Sequence, residues 1–315
     1  MIPLSEIEAA RKRIEGAAVR TPLVRLYADD ASAEIYLKLE LLQPIGSFKI
    51  RGATNAIRLA PPERVQQGLV TASAGNMAQG VAWAARELGV PATIAVPEHA
   101  PEAKLAAIAR LGGRVLKLPY DDWWNVIVTS RVEGVDGLFV HPVQDQGVMA
   151  GNGTIGLEIL EDLPDPDAVV IPYGGGGLTV GIASAIKALR PQTKIIVAEP
   201  ATGAALYAAL EAGTPTEVEY QPSFVDGSGS RRVLDTMWPR VQPLVDAAVS
   251  VSIKHAARAV RALAERAHVV AEGAGALATA AALAGDAGSG KVVCIASGGN
   301  INPATLAEIL TGGGG

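Results

Sequence analysis

The chain has 315 residues, 49% hydrophobic, 19% charged and only 4% aromatic, with a formal net charge of −5. That length suits two closely packed α/β domains with cores built mainly from Ala, Val, Ile and Leu. The globular composition excludes a disordered chain, and the acidic balance, without a basic stripe or interleaved aromatics, argues against a nucleic-acid partner.

The chain opens with MIPLSEIEAARKRIEG, charged and amphipathic, without the apolar core of a signal peptide. A single cysteine, Cys294, rules out an intrachain disulfide framework; with the N-terminus it predicts a cytoplasmic location. In chain order the predicted strands are EIYLKLE, GLVTAS, ATIAVP, RVLKLP, LFVHP, AVVIPYG, KIIVAEP and KVVCIAS. Between them run helical patterns such as MAQGVAWAARELG, APEAKLAAIARLG, TVGIASAIKALRP, HAARAVRALAERAH and AGALATAAALAG. Strands apolar almost throughout, alternating with helices, predict an α/β fold of mostly parallel, twisted sheets covered on both faces. A complete series of its own between Thr54 and Val140 predicts a small inserted domain, residues 54–140, within a large one formed by 1–53 and 141–315. The uncharged stretch Ala168–Ile186 is broken by Pro172 and four glycines, so it reads as strand, loop and helix and not as a membrane span. The final TGGGG reads as a flexible tail.

Four stretches carry chemistry. GSFKIRGA sets Lys49 between Phe48 and Ile50 at a strand-to-helix junction; it is either an ordinary lysine or an amine kept desolvated so that it can attack a carbonyl. PYGGGGLTVG ends a strand in Gly174, Gly175, Gly176 and Gly177 and opens a helix near Leu178, the form of a phosphate cup. TASAGNMAQG presents Ser73, Ala74, Gly75 and Asn76 at a helix start, where a carboxylate fits, although Asn76 alone also reads as a simple cap. VVCIASGGN delivers Ser297 to a sheet edge, where its hydroxyl is either a turn cap or a partner for a ring nitrogen. All four lie at C-terminal ends of predicted strands, where open α/β sheets place ligands. A rival reading takes Gly175, Gly177 and Gly181 as a near-dinucleotide fingerprint with Glu199 as the ribose acid, which gives a nicotinamide oxidoreductase.

LKLELLQPIGSFKIRGA, SAGNMAQGVA, GNGTIGLEIL, PYGGGGL and IASGGN, in this order and from about Pro3 to Leu310, resemble the fold-type II pyridoxal-phosphate enzymes of the threonine/serine dehydratase and serine racemase family, which share the tryptophan synthase β-like fold. The resemblance implies that Lys49 forms the Schiff base with pyridoxal 5′-phosphate and that Gly174, Gly175, Gly176, Gly177 and Leu178 bind the phosphate. It also implies that Phe48 packs on the ring, Asn76 meets the ring hydroxyl and Ser297 the pyridine nitrogen. Ser73, Ala74, Gly75 and Asn76 would hold the substrate carboxylate. Departures matter too. Ala74 stands where racemases carry a second proton-moving serine, so racemisation is expected to be weak or absent. Met77 replaces the family's usual histidine. Glu199 and Gly203 match two members of the family's divalent-ion site, but Ala205 replaces the aspartate, so no metal is expected. His99, His141, His255 and His268 lack ligand spacing. Arg231 or Arg232 is either part of a solvated turn or reaches the site's mouth.

The expected activity, implied by the resemblance, is β-elimination from threonine or serine with Lys49 as the Cα base, giving a 2-oxo acid and ammonia. Apolar Ile45, Met77 and Phe224 motivate an alternative, a β-aryl substrate such as phenylserine. A non-catalytic binding module is a further reading. Relatives imply a homo-oligomer, a dimer or tetramer. With no regulatory domain after Leu310, the feedback control of longer biosynthetic relatives is expected to be absent.

Overall fold

The computed structural model describes residues 1–28 and 31–312. Ten strands are present among them: β1 Leu23–Leu26, β2 Ala33–Lys38, β3 Leu69–Ala72, β4 Ala92–Pro97, β5 Arg114–Leu118, β6 Leu138–Phe139, β7 Ala168–Pro172, β8 Lys194–Pro200, β9 Ala247–Val251 and β10 Gly290–Ile295. They form two sheets, one in the order β1-β2-β10-β7-β8-β9 and one in the order β5-β4-β3-β6. Every pairing is parallel except that of β1 with β2, which is antiparallel.

The parallel strands were readable because helices cover both faces and every inner position must be apolar. β7 (AVVIP) is buried along its whole length, as is β3 (LVTA). The core of the larger sheet lies on its two faces, one around Val169, Ile171, Ile195 and Val197, the other around Ile35, Leu37, Val170 and Cys294. The smaller sheet has its own core around Leu69, Ile94, Val81 and Ile108.

Helices Lys49–Leu59 and Gln146–Asp162 join the layers. They approach so closely that a Cβ on Gly151 would lie 2.5 Å from the Arg51 carbonyl oxygen. Beside them a buried charge cluster fastens the chain. The Arg51 guanidinium grips Glu40 with Nε and Nη2, each at 2.8 Å, and Glu158 at 2.7 and 2.9 Å. Lys38 Nζ closes the cluster on Glu158 at 2.5 Å and on the Thr21 carbonyl at 2.6 Å. Two cations against two carboxylates leave it neutral, which is what lets such groups stay dry.

Two strands lie outside the predicted set, β1 and β9, both at edges of the larger sheet. Leu39 and Glu40 leave the predicted strand EIYLKLE for a tight turn, Glu40–Leu42. At the C-terminus Thr311 ends the helix Pro303–Thr311 and Gly312 closes it at φ +95°; the rest of the predicted tail, 313–315, is outside the described residues. No helix among the described residues is long and apolar enough to cross a membrane.

Candidate active site

The C-terminal ends of β3, β7 and β10 face one cavity of about 380 Å³ between the two sheets. Its walls bring together each predicted site residue: Phe48 and Lys49; Ser73, Ala74, Gly75 and Asn76; Gly174, Gly175, Gly176, Gly177 and Leu178; and Ser297.

Lys49 is the first residue of its helix, and its Nζ donates to the Pro142 carbonyl at 3.1 Å. The ammonium also lies 5.1 Å from the centre of the Phe48 ring. Burial makes the charged form costly and pulls the amine down to about 8, with the nearby Glu272 pulling partly the other way. The Pro142 acceptor sits in a turn built by His141, whose Nδ1 accepts from the amides of Val143 and Gln144, both at 3.0 Å. Burial holds His141 below the usual imidazole range, which keeps that nitrogen an acceptor.

The same turn shapes the glycine cup. A Cβ on Gly175 would lie 2.4 Å from Val143 Cγ2, and one on Gly177 3.0 Å from the Val143 carbonyl oxygen. Gly176 has φ +91°, a conformation side chains strain to adopt. The helix Gly177–Leu189 follows. Its Val180 amide makes a bond back to the Gly176 carbonyl at 2.9 Å; the amides before it have no intrahelical partner and carry the positive end of the dipole. A cradle that excludes side chains and ends in free amides fits the phosphate of pyridoxal phosphate. A desolvated amine on the same cavity fits its aldehyde.

Ser73 Oγ accepts from the Gly75 amide at 3.2 Å and shapes the loop before the helix Asn76–Leu88. Asn76 does not cap that helix. Its Nδ2 donates to Glu272 Oε1 at 2.7 Å, and its Oδ1 accepts from Asn300 Nδ2 at 2.7 Å. Glu272 and Asn300 are cavity residues that the sequence reading missed. Burial lifts the Glu272 carboxyl to about 7, against the Asn76 bond that lowers it. Ser297, 3% exposed, follows β10 on the same wall.

Several expectations are corrected. Ile45 and Phe224 do not reach the cavity wall: Ile45 Cδ1 points at Gly80 between two helices, and the Phe224 ring packs on Gly273. Of that trio only Met77 lines the cavity, and it is otherwise buried in the small-sheet core. Arg231 and Arg232 are exposed and away from the cavity, with Arg232 paired to Asp235 at 2.9 Å. Their loop contributes Asp226, Gly227 and Ser228 instead. Glu199 is buried and accepts from the amides of Leu206 at 3.0 Å and Tyr207 at 2.8 Å, capping the helix Ala205–Ala212; burial lifts it to about 7. It therefore faces no ribose. Gly181 serves helix packing, since a Cβ there would lie 2.3 Å from the Met149 carbonyl oxygen. Both supports of the nicotinamide reading fall with these placements. No group of three or more His, Cys, Asp or Glu able to hold a metal gathers among the described residues.

The family model described as "Pyridoxal-phosphate dependent enzyme" matches residues 14–298. The chain belongs to this family. As a pyridoxal-phosphate enzyme it is 41% identical to an L-threonine ammonia-lyase of Thermotoga maritima, over 99% of this chain and 79% of that protein. It is 36% identical to the L-threonine dehydratase catabolic TdcB of Staphylococcus aureus, over 99% and 93%. Among solved structures, maize serine racemase superposes with a TM-score of 0.90 at 32% identity, covering 98% of this chain and 97% of that one.

Proposed function

We propose that this pyridoxal-phosphate enzyme is an ammonia-lyase that eliminates the β-hydroxyl of a β-hydroxy L-amino acid, threonine or serine, as water, the released enamine then taking up water to give a 2-oxo acid and ammonia. The observation that carries the reading is Lys49: an amine shifted by burial to about 8, on the wall of the cavity that the glycine cradle also lines. The names of the relatives support threonine as substrate.

In this reading Lys49 would hold the cofactor by its aldehyde, Gly174 to Leu178 would hold its phosphate, Phe48 would pack on its ring and Ser297 would meet its ring nitrogen. Asn76 keeps one amide hydrogen for the ring hydroxyl after serving Glu272. The bound cofactor supplies an electron sink for negative charge that develops at the substrate Cα. The loop Ser73 to Asn76 orients the substrate carboxylate at the helix start through the amides of Ala74 and Asn76, since the Ser73 amide serves the Ala95 carbonyl and the Gly75 amide serves Ser73 Oγ. Once the substrate's own amine has taken its place, the freed amine of Lys49, with a proton affinity matched to neutral pH, would take the Cα proton. Ala74 carries no proton-moving group for the opposite face, which favours elimination over racemisation.

The remaining expectations belong to the same proposal. Residues 54–140, which contain β3 to β6, act as a small inserted domain on a large cofactor domain of 1–53 and 141–315. The enzyme works as a cytoplasmic homodimer or tetramer; the fully buried thiol of Cys294 suits a reducing compartment.

Lys49→Ala tests the function. The variant should fold, by circular dichroism, yet lose the visible band of bound cofactor and release ammonia from threonine at least ~10³-fold more slowly. Undiminished elimination by that variant rejects the mechanism.

A further inference from the structure

Two side chains of the helix Tyr120–Thr129, Trp123 and Ile127, line the cavity. They are four residues apart and share one helical face. The indole is fixed: Trp123 Nε1 donates to the Ala95 carbonyl at 3.2 Å. That same oxygen accepts the Ser73 amide at 3.1 Å. The ring therefore lies directly behind the loop Ser73–Asn76, on the side of the cavity proposed for the substrate carboxylate. Ile127 continues the wall and packs with Trp123 and Phe139 against β3 and β4 residues Val70, Ala72 and Ala95.

The charges near this wall are spent or turned away. Asp121 and Asp122 are exposed to solvent on the first turn of the helix. Lys104, on the cavity wall, is paired with Asp226 at 2.7 Å. A rigid aromatic plate backed by a branched aliphatic side chain offers a substituent dispersion and desolvation but no hydrogen bond.

We infer that Trp123, supported by Ile127, is the specificity wall for the substrate's β-substituent, admitting a small alkyl group such as the methyl of threonine and rejecting aryl groups. This rests on the ammonia-lyase reading for the reaction, but not for the binding order. One methyl in an apolar pocket discriminates by roughly 10–200-fold. The anchored indole cannot rotate aside for a larger group without breaking its bond to Ala95 and disturbing the neighbouring Ser73 contact.

The test uses the holoenzyme and its Trp123→Ala, Trp123→Phe and Ile127→Ala variants. Calorimetry with L-alanine, L-2-aminobutyrate and L-phenylalanine, which lack the leaving hydroxyl, reads binding; ammonia release from serine, threonine and phenylserine reads turnover. The wild type should bind 2-aminobutyrate at least ~10-fold more tightly than alanine, with phenylalanine weakest. Trp123→Ala should bring the first two within about threefold and raise phenylalanine binding and phenylserine kcat/KM by at least ~10-fold, while Trp123→Phe keeps the wild-type order. Should Trp123→Ala fail to fold, Ile127→Ala carries the test, with the same changes in direction and smaller size. Unchanged ligand order in the variants, or a wild type that prefers phenylalanine, overturns the wall. Ammonia release from none of the hydroxy amino acids, with the binding order as stated, overturns the ammonia-lyase reading and leaves the wall standing.

Discussion

Asn76 Nδ2 donates to Glu272 Oε1 at 2.7 Å, so a loop of the smaller sheet is tied to the residue that precedes the helix Gly273–Leu283 on the larger one. The bond sits in a buried place where the carboxyl is pushed up to about 7. Between its ordinary value of 4.5 and about 7 the folded chain binds this proton more firmly than the unfolded chain does. Stability therefore falls as pH rises through that window, and the full cost is present above it. Glu199, also lifted to about 7, acts in the same direction. Glu272→Gln keeps an acceptor for Asn76 and cannot ionise. Its melting temperature should fall less than that of the wild type between about pH 5 and about pH 8, a difference worth on the order of 2–3 kcal/mol. Parallel melting curves for the two proteins across that range would remove Glu272 as the cause.

The glycine cup is predicted to fail by crowding. Gly175→Ala places a Cβ 2.4 Å from Val143 Cγ2, inside any real contact. The strain should cost about 1–3 kcal/mol and weaken cofactor retention, read by equilibrium dialysis of pyridoxal phosphate. Val143→Ala in the same chain should recover much of the loss, because the two sites share one contact. Additive losses in the double variant would place the damage elsewhere.

Arg51 holds two buried carboxylates, Glu40 and Glu158. Arg51→Met leaves Glu40 without its guanidinium in a fully buried place. The expected loss is roughly 3–5 kcal/mol in urea unfolding. Adding Glu40→Gln should return part of it, since the stranded charge is then gone. A loss below about 1 kcal/mol for Arg51→Met alone would show that water reaches the cluster.

Ala74 lines the cavity between Ser73 and Gly75. Ala74→Ser puts a hydroxyl able to carry a proton on that wall. The variant should form D-serine from L-serine, measured by chiral chromatography, where the wild type forms little or none. Equal D-serine from both proteins would separate racemisation from this position.

Legibility followed burial. Strands covered on both faces, such as AVVIP and LVTA, announce themselves as apolar runs. β1 and β9 do not: LVRL is only four residues long and interrupted by an arginine, and AAVSV is built largely of small, half-exposed residues, so neither carries a distinguishing period. The glycine cup and the loop around Asn76 were readable from strand-end spacing; Lys49 does not follow a strand directly, lying eleven residues beyond β2 across the turn Glu40–Leu42, and stood out by its apolar, glycine-flanked setting and the family resemblance. Glu272, Asn300 and Trp123 were not, because each acquires its place from residues far away in sequence. Glu272 reads locally as the acidic start of an alanine-rich helix, and only its 2.7 Å bond to Asn76, 196 residues away, reveals more. Arg231 and Arg232 read as candidates because they follow the loop FVDGSG, where family relatives carry a basic residue, and their exposure leaves them the solvated turn that was the other reading.

The charge cluster around Arg51 decides which half of the cavity can be retuned. Two residues beyond Lys49, it nails that helix to β2 and to the helix Gln146–Asp162, which itself abuts the cup-bearing helix Gly177–Leu189. Amine and cradle thus share a single chassis, while Ser73 to Asn76 and Trp123 ride on the other sheet. A slight tilt of one sheet against the other would keep amine and cradle in register while carrying the carboxylate loop and the indole together against them, with the Asn76–Glu272 bond as the strut that resists it.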